Sequence, residues 1–113
     1  MNIRKAITKM RISSHKFPIE TGRYEKREKS DRICPLCCNG VGNEEHYIFE
    51  CDDKIITNVR KECTINIYKK SPQIKKLSLH DQLKYMLICR DEIIIKDIGI
   101  LFLRIQKEFE NSI

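Results

Sequence analysis

The stretch CPLCCNGVGNEEHYIFEC, Cys34 to Cys51, places four cysteines and a histidine within eighteen residues. Taken as Cys34, Cys37, His46 and Cys51, the spacing is C-x2-C-x8-H-x4-C. Three thiolates and one imidazole form a ligand set that Zn2+ takes in closed tetrahedral structural sites. Pro35 stiffens the two-residue link, and Gly40 and Gly42 let the backbone turn back behind the second ligand. Cys38 offers a second register, C-x3-C with seven residues before His46. The two-residue loop is the commoner knuckle geometry and favours Cys37.

Catalytic chemistry fits these residues poorly. A redox C-x-x-C needs a thiolate at a helix start in a strand–helix context, and Pro35 with the following glycines does not provide one. A catalytic zinc keeps an open coordination position, and four protein ligands leave none. Glu44, Glu45 and Glu50 lie nearby, but acidity at a helix start accounts for them. No phosphate-cradling glycine loop and no serine–histidine–acid grouping occurs. The expectation is a non-catalytic chain that takes no small-molecule substrate.

Six cysteines would also suit three disulfides in a secreted domain. The N-terminus, MNIRKAITKMRISSHK, lacks the apolar core of a signal peptide. The longest apolar stretch, 93–105, is broken by Lys96, Asp97 and Arg104 and is too short for a bilayer. An intracellular, reducing compartment, nuclear or cytoplasmic, is therefore expected, with no membrane association, and there clustered Cys and His favour metal. Cys63 and Cys89 fall on helical segments and read as small buried residues. His80 stands at a helix start, far from other ligands, and reads as a surface residue.

A chain of 113 residues suits one domain with a modest core. Charge is unevenly placed along it. Residues 1–33 hold ten Lys/Arg against four Asp/Glu, whereas residues 34–113 hold twelve of each. The whole excess of +6 thus precedes the first candidate ligand and points to a polyanionic partner. The segment 15–32 carries Pro18, Gly22 and many charges, and reads as an irregular arm. In and beside it, Arg11, His15, Lys16, Arg23, Lys26, Arg27 and Arg32 can meet phosphates, and Tyr24 can stack on an unpaired base. Glu20, Glu25, Glu28 and Asp31 weaken that field locally.

Periodicity supplies the framework. Ile3, Ala6, Ile7 and Met10 predict a helix that ends near residue 12 or 13. His46 is expected on a short helix with Cys51 at its end or just beyond, because five residues span about 140° of an α-helix. Asp52 or Asp53 can cap the next helix, whose stripe is Ile55, Ile56, Val59, Cys63 and Ile67 and which should end by Ser71-Pro72. Ser78 and Asp81 resemble a capping signal ahead of Leu79, Leu83, Met86 and Leu87. The last segment puts Ile94, Ile98, Leu101, Ile105 and Phe109 on one side, although Ile93-Ile94-Ile95 also suits a strand over 93–103. Gly99 disfavours a helix but allows close packing.

Together the lead and the metal motif resemble a known family. RISSHKFPIETGRY, a basic loop, CPLC and then EEHYIFEC are similar to the zinc-binding region C-terminal to the reverse transcriptase domain of non-LTR retrotransposons. The matching positions are Arg11, His15, Lys16, Gly22 and Arg23, then Cys34 and Cys37, then Glu44, Glu45, His46 and Cys51, within residues 9–53. The resemblance implies RNA or DNA binding in support of reverse transcription, without catalysis by this chain, and a fragment or remnant of a mobile element. No paired-aspartate polymerase motif is present, and the eight-residue spacer departs from that of retroviral nucleocapsid knuckles.

The expected architecture is mainly α-helical and zinc-stapled. Residues 1–33 form a basic helix and arm, 34–53 a C2HC-type zinc knuckle, and 54–113 a tail of about three helices. The competing expectation is a protein-docking module that packs on a polymerase domain or on itself.

Overall fold

The computed structural model describes residues 2–11, 33–38 and 40–112. The fold is mainly helical. Helix α1 spans Ile3–Arg11, a π-helical turn spans His46–Glu50, and four helices follow: α2 (Lys54–Lys70), α3 (Pro72–Lys75), α4 (Leu79–Ile88) and α5 (Ile95–Ser112). Among the described residues the only extended pairing is an isolated antiparallel bridge between Ile33 and Val41. No described helix is long and apolar enough to cross a membrane.

Side chains at the helix starts explain where the elements begin. The Asn2 carboxamide oxygen accepts from Lys5 N at 2.9 Å and opens α1. Asp53 accepts from the amides of Ile55 and Ile56 at the start of α2, and Ser78 Oγ accepts from Asp81 N at the start of α4. Pro72 begins a turn of helix, α3, where the sequence reading expected only a stop. Proline has no amide proton to leave unsatisfied at a first helical position, and the turn buries Ile74. The strand alternative for residues 93–103 does not occur. Asp91 Oδ1 instead accepts from Ile93 N at 2.9 Å, residues 92–94 form a turn, and α5 begins at Ile95. Helical spacing decides the matter, because Ile94, Ile98, Leu101, Phe102, Ile105 and Phe109 are all buried while Ile93 stays 67% exposed.

Helix α5 is the axis of the core, packed on one side by α2 and on another by α1. Gln106 on α5 donates to the Ala6 carbonyl at 3.0 Å, and Arg11 donates to the carbonyls of Leu87 (2.6 Å) and Cys89 (2.8 Å). The second contact satisfies the open C-terminal end of α4 and ties α1 to it. Gly99 is the point of closest approach. A β-carbon there would collide with Ile3 Cγ2 and stand 3.0 Å from Ile7 Cδ1. Gly99→Ala removes a helix penalty of about 1 kcal/mol, but overpacking costs about 1–3 kcal/mol. Since a branched methyl close to the Ile3 backbone is slow to yield, net destabilisation is expected, read as a lower urea midpoint.

Candidate metal centre

The first half of the site is a tight reversal. Beyond the Ile33–Val41 bridge, Cys34 N donates to the Gly40 carbonyl at 2.9 Å, and Cys38 N donates to the Cys34 carbonyl at 3.0 Å. The second bond closes the turn through Pro35, Leu36 and Cys37 and directs Cys34 and Cys37 to the same side. Among the described residues of the reversal, Gly40 takes a φ of 141° and Cys38 a φ of 59°. For cysteine this left-handed conformation costs about 1–2 kcal/mol. Cys38 is also exposed, whereas Cys34 is fully buried. Cys38→Gly should therefore raise stability by about 1 kcal/mol with metal retained, and Cys38→Ser should likewise keep the metal. Cys37→Ser should lose it. Metal content of the purified variants decides between the two registers.

The second half is a helical turn with an unusual hydrogen bond. Asn43 Oδ1 accepts from His46 N at 2.9 Å, capping the turn that Glu44 and Glu45 begin. From His46 the turn widens to the π form, and Cys51 N donates to the His46 carbonyl at 2.6 Å. An α-helix would set residues five apart at about 140°. The i→i+5 bond of a π turn instead returns the fifth residue above the first. The x4 spacing between His46 and Cys51 is the spacing at which that bond links the pair directly.

These two halves bring Cys34, Cys37, His46 and Cys51 together, with one ligand atom from each and all four atoms within 4.8 Å of one another. Cys34 Sγ lies 3.9 Å from Cys51 Sγ, and Cys37 Sγ lies 3.3 Å from His46 Nε2. A tetrahedral zinc would require edges of about 3.8 Å between sulfurs and about 3.5 Å between sulfur and nitrogen. The donor set therefore suits such an ion in number and type, and these two separations lie close to the required edges. Gly40 lies beside the imidazole, where a β-carbon would stand 3.7 Å from His46 Nδ1. The cluster can hold a metal ion, and the residues themselves would contribute four ligands without an open position.

The surroundings treat the sulfurs differently. Burial works against ionisation of Cys34, but hydrogen bonds from the Tyr47 hydroxyl and the amides of Cys37 and Leu36 outweigh it and leave the thiol below its ordinary pKa. Cys51 is pushed up to about 12, chiefly by burial, with the Cys34 sulfur adding to the effect. Burial lowers the pKa of His46 and favours the neutral, ligating imidazole. Tyr47, raised above the usual phenol range by burial and then by Cys34, remains a proton donor. Its ring meets His46 edge-on at 5.1 Å and Phe109 of α5 at 5.0 Å.

Arg60 holds the turn from outside. From α2 its Nε donates to the Ile48 carbonyl at 2.8 Å, and one terminal nitrogen donates to the carbonyls of Cys51 (2.8 Å) and Tyr47 (3.4 Å). These are the open carbonyls at the end of the π turn, so a single guanidinium fixes the backbone that carries His46 and Cys51. Its charge also offsets that of three thiolates, which exceeds the charge of a divalent ion by one. Arg60→Met should weaken metal affinity about 10–100-fold, measured by chelator competition.

Arg11, expected to meet nucleic acid, donates to the carbonyls at the end of α4 and is exposed. His15, Lys16, Arg23, Tyr24, Lys26, Arg27 and Arg32 lie outside the described residues. Cys63 and Cys89 are buried away from the cluster, and His80 is exposed, with Nδ1 3.9 Å from Glu45. Sequence reasoning missed Asn43 and Arg60. An asparagine directly before Glu44-Glu45 is a readable cap signal. Nothing in the sequence marks Arg60, since its role depends on how α2 leaves the turn. Family models, curated proteins and solved structures offer no match to the chain.

Proposed function

We propose that this chain is a non-catalytic zinc module of C2HC-type knuckle design that binds nucleic acid, in support of reverse transcription of a retroelement. The observation that carries the reading is the convergence of three thiols and one imidazole within 4.8 Å. Zinc suits that set, because borderline-soft Zn2+ takes thiolate and imidazole together in tetrahedral sites. Nucleic acid is favoured by the placement of the whole positive excess within residues 1–33. The retroelement context comes from the likeness of residues 9–53 to the region that follows the reverse transcriptase of non-LTR retrotransposons. The zinc-loaded chain should bind a labelled single-stranded oligonucleotide with a steep salt dependence, about 0.7 log units per phosphate neutralised. Binding indifferent to salt would remove the cationic segment from the reading.

A second reading is favoured by Ile88 (75% exposed), at the end of α4, and Ile93 (67% exposed), in the turn before α5. Exposed isoleucines in the link between two helices suit docking to a polymerase domain or to a second copy. Concentration-dependent self-association without affinity for oligonucleotides would select it.

A further inference from the structure

The outer face of α1 carries charge that its own folding does not favour. Ala6, Ile7 and Met10 are buried, while Arg4, Lys5 and Thr8 are exposed and Lys9 is half-exposed. Arg4, Lys5, Thr8 and Lys9 line one shallow hollow with Asn2. The helix contains no acidic residue, and none of the three cations is ion-paired among the described residues. Arg4 and Lys5 occupy the first turn, where the positive end of the helix dipole repels them. Lys5 and Lys9 stand four residues apart, a like-charge pair that opposes helix formation. Elsewhere the pattern differs, since Lys70 and Arg104 meet Asp97 and Glu62 at 2.7 and 2.8 Å. Local rules broken together on one surface, without compensation among the described residues, mark a functional surface.

We infer that this face of α1 is a phosphate-backbone contact surface, in which Arg4, Lys5 and Lys9 neutralise successive phosphates of a bound nucleic acid strand. The inference rests on the nucleic-acid reading above and adds an ordered helical element to the cationic segment named there. Lys5 and Lys9 are separated by about 6 Å along the helix axis, so they meet different phosphates. The contact carries no base preference, because phosphate contacts set position rather than sequence.

The test is the triple variant Arg4→Gln, Lys5→Gln, Lys9→Gln in the full zinc-loaded chain, titrated with a labelled single-stranded oligonucleotide of mixed sequence across a salt series. A control variant, Lys61→Gln, Lys84→Gln, Lys107→Gln, removes the same charge from exposed positions on α2, α4 and α5. The expected result is a salt slope lower by about two units for the α1 variant, with Tm unchanged or raised and a smaller slope change in the control. A raised Tm with an unchanged slope overturns the inference and leaves the nucleic-acid reading standing. An equal slope change in the control overturns it too, since net charge alone would then suffice. Failure of the unmodified chain to bind removes the nucleic-acid reading and this surface with it.

Discussion

Protein purified under reducing conditions is expected to carry one zinc ion per chain, and a chelator that removes the ion should unfold the segment from Ile33 to Asp53. Structural zinc contributes about 10–16 kcal/mol of apparent binding energy in small modules, while a whole domain is stable by only about 5–15 kcal/mol. Three of the four candidate ligands, Cys34, His46 and Cys51, are buried, so without an ion their polar atoms lose water and gain only hydrogen bonds in exchange. His46→Ala should abolish zinc content and broaden the amide signals of that segment. Folded protein without zinc, its cysteines paired as disulfides, would sink the site. The expected pH dependence has two opposite signs. An ion must displace the proton from Cys51, so zinc affinity rises with pH and zinc is released on acidification. In the metal-free chain the Cys51 thiol, raised from 9.0 to about 12, contributes stability that is present below pH 9 and lost as the pH climbs towards 12.

Phe109→Ala is the second large effect, expected to cost about 3–5 kcal/mol in urea denaturation of the zinc-loaded chain. Phe109 is 2% exposed and lies near the C-terminal end of α5, where its ring meets Tyr47 at 5.0 Å. Losing the edge-to-face pair adds about 0.5–1.5 kcal/mol to the loss of buried area, within that total. The damage should also reach the ligands. Tyr47 follows His46 directly and hydrogen-bonds the Cys34 sulfur, so a cavity beside its ring frees both contacts. Zinc affinity should therefore fall alongside stability. Ile65→Ala, at a residue 61% exposed on α2, should change stability by less than about 0.5 kcal/mol. A loss below about 1 kcal/mol for Phe109→Ala would mean that α5 does not support the site.

Much of this arrangement could be read from residue order. The stripes of α1, α2 and α5 announce themselves at helical spacing, except that Ile55 of the expected α2 stripe is exposed, and Asp53 and Ser78 cap as their positions suggest. Gly99 already hinted at close packing, and Ile3 is the residue that needs it. The four candidate ligands were legible because their chemistry is local: Cys34 and Cys37 share one turn, as do His46 and Cys51. The π form of the second turn was not legible, since periodicity assumes 3.6 residues per turn and cannot signal a single widened one. Helix α3 was hidden because proline reads as a stop until its place at a first turn is known. Arg60 and Arg11 act through carbonyls of other elements, and such contacts leave no mark in local sequence.

Helix α1 finds its partner at the other end of the chain, with Gln106 reaching the Ala6 carbonyl across 100 positions. During synthesis, residues 2–11 leave the ribosome before the helices they pack against, and their main partner, α5, is the last of these to follow. The turns at Cys34–Cys38 and His46–Cys51 close over short stretches of sequence, and α2 follows directly, so they can order while α5 is still being made. Docking of α1 is the long-range, slow step. Until then its apolar side, Ala6, Ile7 and Met10, stays uncovered, and the four cations of Ile3–Arg11 repel other nascent copies. The charge that opposes the helix also keeps the unfinished chain from aggregating through that face.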